Sequence, residues 1–278
     1  MYEPKYLPEL NEASVILQNL RFTVECFDGY KHQNDPNADP LHIHRYLEIF
    51  LNISSDVSFL VNNNLYTVAA GCAVVSPPES IHVATFNKSA LQEHLCIWID
   101  ADFSSPLFSF LRDEDFCPLF SFDEQTGDKL RSLAFSLIEA CKKDEAELEK
   151  ACCLIRILTI LKNKRLSAAE ENFIPGPLQK ILDDIHENYS EIHTVNDILA
   201  EHFISSATLT RWFRKYIHTT PKEYLESVKL SGAAAMLSAG ASATEACMRS
   251  GFSDLSHFIV LFKKKFGQTP LQYKKTAK

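Results

Sequence analysis

The chain has no C-x-x-C pair, no long apolar run and none of the glycine-rich fingerprints that cradle phosphates. Each absence removes a class of function. Nothing approaches the ~18 consecutive apolar residues that suggest a membrane span. The amino terminus, MYEPKYLPEL, carries no apolar core run, so no secretory signal is expected. Eight cysteines (Cys26, Cys72, Cys96, Cys117, Cys141, Cys152, Cys153 and Cys247) are scattered along the sequence. Without export signals they are expected to be free thiols in the cytoplasm, not disulfides or a zinc site. No Walker loop, Rossmann fingerprint or Ser/His/Asp arrangement is visible. An apolar content of 46% and a charged content of 23% are those of an ordinary globular protein.

What is present is uneven. The net charge of −8 would argue against a nucleic-acid partner if it were uniform. Residues 174–278 instead hold 13 Lys and Arg against 10 Asp and Glu, and residues 1–173 hold 15 against 26. A mildly basic last third attached to an acidic remainder suggests two jobs, and a local basic face is enough to meet phosphates.

Up to about residue 122 the pattern is that of short strands. RFTVECF, RYLEIFLNI, VSFLV, LYTV, GCAVVS, IHVATF and LQEHLCIWI are punctuated by Gly, Pro and Asn, which predicts an antiparallel barrel or sandwich. The period then changes. Leu130, Leu133, Ala134, Leu137, Ile138 and Cys141 fall on one helical face. A second helix, roughly 145–163, carries Leu148, Ala151, Cys152, Leu154, Ile155, Ile157, Leu158 and Leu161. That stripe is wider than one partner surface needs. It fits a helix buried in its own domain or one that also packs on a second subunit. Residues 164–177, polar and ending in Pro-Gly-Pro, form the linker candidate.

Beyond the linker, helix-start signals follow one another: Thr194 with Asp197, Ser205, Thr220-Pro221 with Glu223, Ser242 with Glu245, Ser253, and Thr269-Pro270. Two units repeat in register. VNDILAEHF turns through ISS into ATLTRWFRKYIHTTP, and ATEACMRS turns through GFS into DLSHFIVLFKKKFGQTP. Leu209 and Phe213 align with Phe258 and Phe262, and Arg214-Lys215 with Lys263-Lys264. A supporting helix, a turn and a second helix with an exposed basic end are what a major-groove reader needs. A basic last turn on one such helix would be ordinary, because cations suit a helix carboxy terminus. Two aligned copies carry the inference.

LAEHFISSATLTRWFRKYIHTTPKEYLESVKL and SGFSDLSHFIVLFKKKFGQTPLQY resemble the DNA-binding domain of AraC/XylS-type transcription regulators over residues 178–278. The resemblance implies helix-turn-helix units near 195–217 and 243–266, joined by a long helix at about 221–238. Its base-facing positions map to Ser206, Ala207, Thr210 and Arg211 in the first unit. In the second they map to Leu255, Ser256, His257, Ile259 and Val260. Arg214, Lys215, Lys263, Lys264 and Lys265 are expected at phosphates. The family usually has arginine where this chain has Val260 and Lys229, so the first unit is expected to dominate base reading through Arg211.

LHIHRYLEIF supplies His42, His44 and Glu48, and GCAVVSPPESIH supplies Gly71, Pro77 and His82. These stretches resemble the two motifs of cupin barrels, whose metal ligands are two histidines, a glutamate and a third histidine. Three readings stand: an effector pocket for a sugar or other metabolite, a bound metal, or barrel-end side chains with no ligand.

The expected architecture is α+β with two domains. Residues 1–122 are a cupin-like antiparallel β-barrel, 123–163 a helical pair for dimerisation, and 178–278 an all-α double helix-turn-helix. The expected function is a cytoplasmic, non-enzymatic DNA-binding regulator that binds operator DNA and a small-molecule effector as a homodimer, with RNA polymerase a further candidate partner. No cofactor is expected. The alternative is a metal-dependent cupin enzyme with a helical appendage.

Overall fold

A computed structural model of the chain describes residues 21–28, 41–54, 56–86, 93–113, 116–143, 146–163 and 174–276. Most of the proposed linker, and Cys26's side chain, lie outside what is described.

The amino-terminal part is two antiparallel sheets and not one closed barrel. The first contains β1 (Arg21–Asp28), β2 (Leu47–Asn52), β5 (Ala73–Ser76), β7 (Glu93–Asp100) and β8 (Leu119–Phe120), in the order β1-β7-β2-β5-β8. The second contains β3 (Val57–Val61), β4 (Asn64–Val68) and β6 (His82–Thr85), in the order β4-β3-β6. Asn62 takes φ +53 at the hairpin between β3 and β4, a conformation asparagine tolerates. Leu47, Ile49, Leu51, Ala73, Val75, Leu95, Ile97 and Ile99 point away from the second sheet and pack with α1 (Glu124–Cys141) and α2 (Glu147–Asn163). The alternate residues Phe50, Val74, Cys96 and Trp98 face inward and meet Phe59, Val61, Tyr66 and Val68 of the second sheet. Period-two alternation therefore separates two buried faces here, not a buried face from a wet one.

The wide stripe of α2 is mostly used inside its own half. Ala151, Leu154, Ile157, Leu158 and Leu161 are buried, while Cys152 is exposed and Leu148 is 74% exposed.

The carboxy-terminal third contains, in chain order, α3 (Gly176–Asn188), α4 (Val195–Glu201), α5 (Ser206–Trp212), α6 (Pro221–Ser238), α7 (Ala243–Arg249), α8 (Leu255–Phe266) and α9 (Pro270–Thr276). Pro-Gly-Pro does not end the linker so much as begin α3, with Pro175 as its cap. The capping boxes at Thr194/Asp197 and Thr220/Glu223 form, and Ser205 and Ser242 cap α5 and α7. The start expected at Ser253 falls one residue later, because the Asp254 carboxylate accepts from the His257 N–H. After α5 the chain continues through a single π turn, Phe213–Ile217, and stops at His218 with φ +57. Gly267 stops α8 in the same left-handed conformation, 49 positions later. The repeat thus extends to its terminators.

One end of the outer face of the second sheet is covered, while Thr67 at the other end is exposed. Leu60 and Val83, with Leu41, Ile43 and Ile81, share one buried cluster with Leu178, Ile181, Tyr224, Leu225, Val228, Phe262 and Tyr273. Hydrogen bonds cross the same surface. Tyr224 donates to Asn62 O at 2.8 Å, Asn63 Nδ2 to Asp183 Oδ1 at 2.7 Å, and Arg45 to Thr276 O at 2.6 Å. Glu79, at φ +64, is held by Ser231 at its carbonyl and by Ser238 and Tyr273 at its carboxylate.

Two close approaches lock the helical third. A Cβ on Gly232 would lie 2.6 Å from Tyr189 Cζ, and one on Gly251, at φ +75, would run into the Ser190 carbonyl oxygen. The Gly251 neighbour is backbone and cannot swing aside. Gly251→Ala is expected to cost about 3 kcal/mol through the clash and the left-handed φ together. Urea unfolding checks this, and an unchanged midpoint would refute it.

Candidate nucleic-acid interface and ligand site

The second helix of each repeat is pinned by one apolar face. Leu209 and Phe213 are buried in the first unit, Phe258 and Phe262 in the second. Pinning that face leaves the other outward. Ser206, Ala207, Arg211, Arg214 and Lys215 are exposed, and with half-buried Thr210 they line one open concavity. In the second unit Leu255, Ser256, His257, Val260, Lys263 and Lys264 are exposed and Ile259 is half-buried. All four residues expected to face bases in the first unit thus share one surface, next to the two expected at phosphates.

Lys265 is different. It lies seven residues after Phe258 and three after Phe262, on the buried stripe. Its Nζ donates to Leu41 O at 2.5 Å and to Ser227 Oγ at 3.2 Å. Burial pushes its pKa down to about 8, partly offset by Glu223. It fastens α8 to the amino-terminal half and does not join Lys263 and Lys264 on the exposed face. Lys229 is likewise turned inward, donating to Gly251 O at 2.9 Å with its ammonium 5.7 Å from the Phe252 ring. It ties α6 to the turn of the second unit.

The four amino-terminal candidates converge. One ligand atom from each of His42, His44, Glu48 and His82 lies within 4.8 Å of the others. Only Glu48 and His82 are in strands; His42 reaches the group because its backbone pairs with His82. Glu48 Oε2 lies 3.0 Å from His44 Nε2, 3.3 Å from His82 Nε2 and 3.8 Å from His42 Nε2, and accepts from Trp98 Nε1 at 2.7 Å.

The far ring nitrogens decide the tautomers. His44 Nδ1 sits 3.1 Å from Tyr46 O and His82 Nδ1 3.0 Å from Ser80 O. A carbonyl can only accept, so both Nδ1 atoms carry hydrogen. In the neutral rings, both Nε2 lone pairs then point at a carboxylate. Burial lowers both pKa values, that of His82 to about 4, against the opposing pull of Glu48. Burial alone would raise Glu48, but His82, together with His42 and His44 whenever a proton sits on the ring nitrogen facing it, holds it well below the usual carboxylate range. An anionic oxygen among converging lone pairs, with His44 and His82 each oriented by a backbone carbonyl, is a donor set that suits a divalent cation. The adjoining cavity, walled by His42, Glu48, Phe50, Phe59, His94 and Trp98, is about 40 Å³. That admits an ion or a water; organic ligands occupy several hundred Å³.

His82 binds a proton more readily unfolded (near 6.5) than folded (about 4), so the unfolded state holds more protons across that window. Stability therefore falls as pH drops from 6.5 to 4, by up to about 3 kcal/mol. Glu48, with its depressed pKa, adds loss in the same direction at the acid end. Urea midpoints of chelator-treated protein between pH 7 and 4.5 test this, and a flat profile would contradict it.

Residues 199–276 match the family model described as a helix-turn-helix domain. Across nearly the whole chain, the HTH-type transcriptional regulator YdeC of Bacillus subtilis (strain 168) is 24% identical, with 97% of this chain and 96% of that protein covered. The HTH-type transcriptional activator RhaS of Yersinia pestis (strain Pestoides F) is 25% identical over 84% of this chain and 88% of its own. Among solved structures, ToxT from Vibrio cholerae O395 aligns with 93% of this chain and 98% of its own at 15% identity, with a TM-score of 0.39. Two aligned helix-turn-helix units, a matching domain model over the last third and relatives matched along most of the chain make this chain similar to helix-turn-helix transcription regulators.

Proposed function

We propose that the amino-terminal sandwich is a sensor that controls how α5 and α8 meet operator DNA, and that the group around Glu48 is its ligand site. One observation carries this reading. The two short segments that supply the site, 41–48 and 79–82, also provide the bonds to α6, α8 and α9 through Leu41 O, Arg45 and Glu79. A ligand that moves His42 or His82 acts on the same backbone that anchors the reading helix. Such control requires different affinities for the docked and released states. A divalent cation held by His42, His44, Glu48 and His82 fits the cavity as described. An organic effector would need the sandwich to open. The non-enzymatic reading is kept because the cavity leaves no room for a substrate beside the cluster. Pairing of two copies would draw on the exposed Phe135 and Leu148 of α1 and α2.

On the DNA side, Arg211→Ala is expected to flatten base preference at one position, losing about 1–3 kcal/mol of discrimination. Lys263→Ala and Lys264→Ala should weaken all sequences alike and reduce the salt slope by about one each. Binding to selected and scrambled duplexes at several salt concentrations separates the two behaviours. Arg211→Ala with unchanged preference would end the assignment of that helix.

On the sensor side, calorimetric titration of chelator-treated protein with Zn²⁺ or Mn²⁺ should give one ion per chain. Glu48→Gln should reduce affinity at least tenfold, the size of loss seen even for residues behind a metal's ligands. Equal binding by wild type and variant would remove the cation site. Turnover of a small-molecule substrate by the metal-loaded protein would favour the cupin-enzyme reading instead.

A further inference from the structure

The two reading helices expose opposite chemistry. The α5 face offers Ser206, Thr210 and Arg211, and a guanidinium can hold a guanine edge by two hydrogen bonds. The outward face of α8 has no Arg, Asn, Gln, Asp or Glu between Leu255 and Phe266. It therefore has no planar guanidinium, amide or carboxylate to match a base edge, and its lysines sit in the last turn. At its centre stands Val260, 64% exposed, with Ser256 and His257 one turn before it and Lys263 and Lys264 one turn after. Leu255, 38% exposed, adds a second apolar side chain at the helix start. Both stay in water on a helix whose Phe258 and Phe262 are fully buried and whose Ile259, Leu261 and Phe266 are partly covered. The two lysines fix the sign of what covers them, because a partner here brings phosphates. The major-groove edge of DNA carries one apolar group, the thymine C5 methyl.

We infer that α8 reads thymine by methyl contact, with Val260 as the principal specificity-determining residue and Leu255 as its companion. The second unit is then a sequence reader in its own right, selecting A·T pairs where α5 selects guanine. The inference rests on α8 entering the major groove as proposed above.

The test uses the full chain and an operator obtained by selection from random duplexes. Thymines in the segment covered by α8 are replaced singly by uracil, which removes the methyl and nothing else. Wild type should lose about fourfold in affinity at one or two positions, the value of one buried methyl-sized group. Val260→Ala or Leu255→Ala should bind the thymine and uracil duplexes equally at the position each contacts. Both side chains are exposed, so the variants should keep the wild-type unfolding midpoint. No uracil-sensitive position in that segment, or equal sensitivity in wild type and both variants, would overturn the inference while α5 recognition stands. Selection that enriches no sequence at all would instead bring down the DNA-reading assignment on which it rests.

Discussion

The β4-β3-β6 sheet is apolar on its inner face and, around Leu60, Leu65 and Val83, on one end of its outer face, where the helices of the last third exclude water. Phe59 and Val61 look into the sandwich while Leu60 and Val83 look out at α3, α6 and α9. Released from the helices, the outer residues would return to water at ~25 cal/mol per Å² of apolar surface. The hydrogen bonds to Asn62, Leu41, Arg45 and Glu79 then add direction to an attraction that is otherwise non-directional. Docking of the two halves is therefore part of how this sheet is stabilised. Any mechanism that separates them must supply that free energy from a ligand or from DNA.

Glu48 is the one carboxylate buried among the described residues, and its surroundings account for its survival there. An ionised carboxylate buried without partners would cost several kcal/mol; here it accepts from the Trp98 indole N–H, and three imidazoles beside it can share a proton or a cation with it. Backbone carbonyls hold the His44 and His82 rings in place. His42 pairs through its backbone with His82, and Leu41 next to it receives Lys265, so the cluster and α8 are joined through two adjacent residues.

Much of this was legible from the sequence. Helix starts followed from side-chain oxygens at Thr194, Ser205, Thr220 and Ser242, because capping is local chemistry. Ser253 against Asp254 was undecidable by the same chemistry, since either oxygen could accept the N–H. The convergence of His42, His44, Glu48 and His82 was readable from motif spacing, although only Glu48 and His82 lie in strands. Two sheets instead of one barrel was not readable: alternation says which residues share a face, not whether the last strand bonds to the first. Lys265 was obscured by its neighbours. In KKK all three read as basic, yet helical period places the third beneath Phe258 and Phe262, where only its ammonium can reach a polar atom.

The two units therefore share a scaffold and differ in what they show to DNA. Each is pinned by two buried apolar residues, stopped by a left-handed residue and followed by Thr-Pro. Their separation is fixed by α6 and by Lys229, whose ammonium bridges to Gly251 in the second turn. Fixed spacing has a consequence for recognition. A rigid pair cannot adjust one helix to improve its contacts without displacing the other. In the proposed complex, hydrogen bonds from Arg211 would set the position of the whole domain, and α8 would accept the groove as presented there. Apolar contact tolerates small displacements better than a bidentate pair does, because it has no preferred angle. A valine at the centre of α8 is thus the side chain a rigid second reader can use.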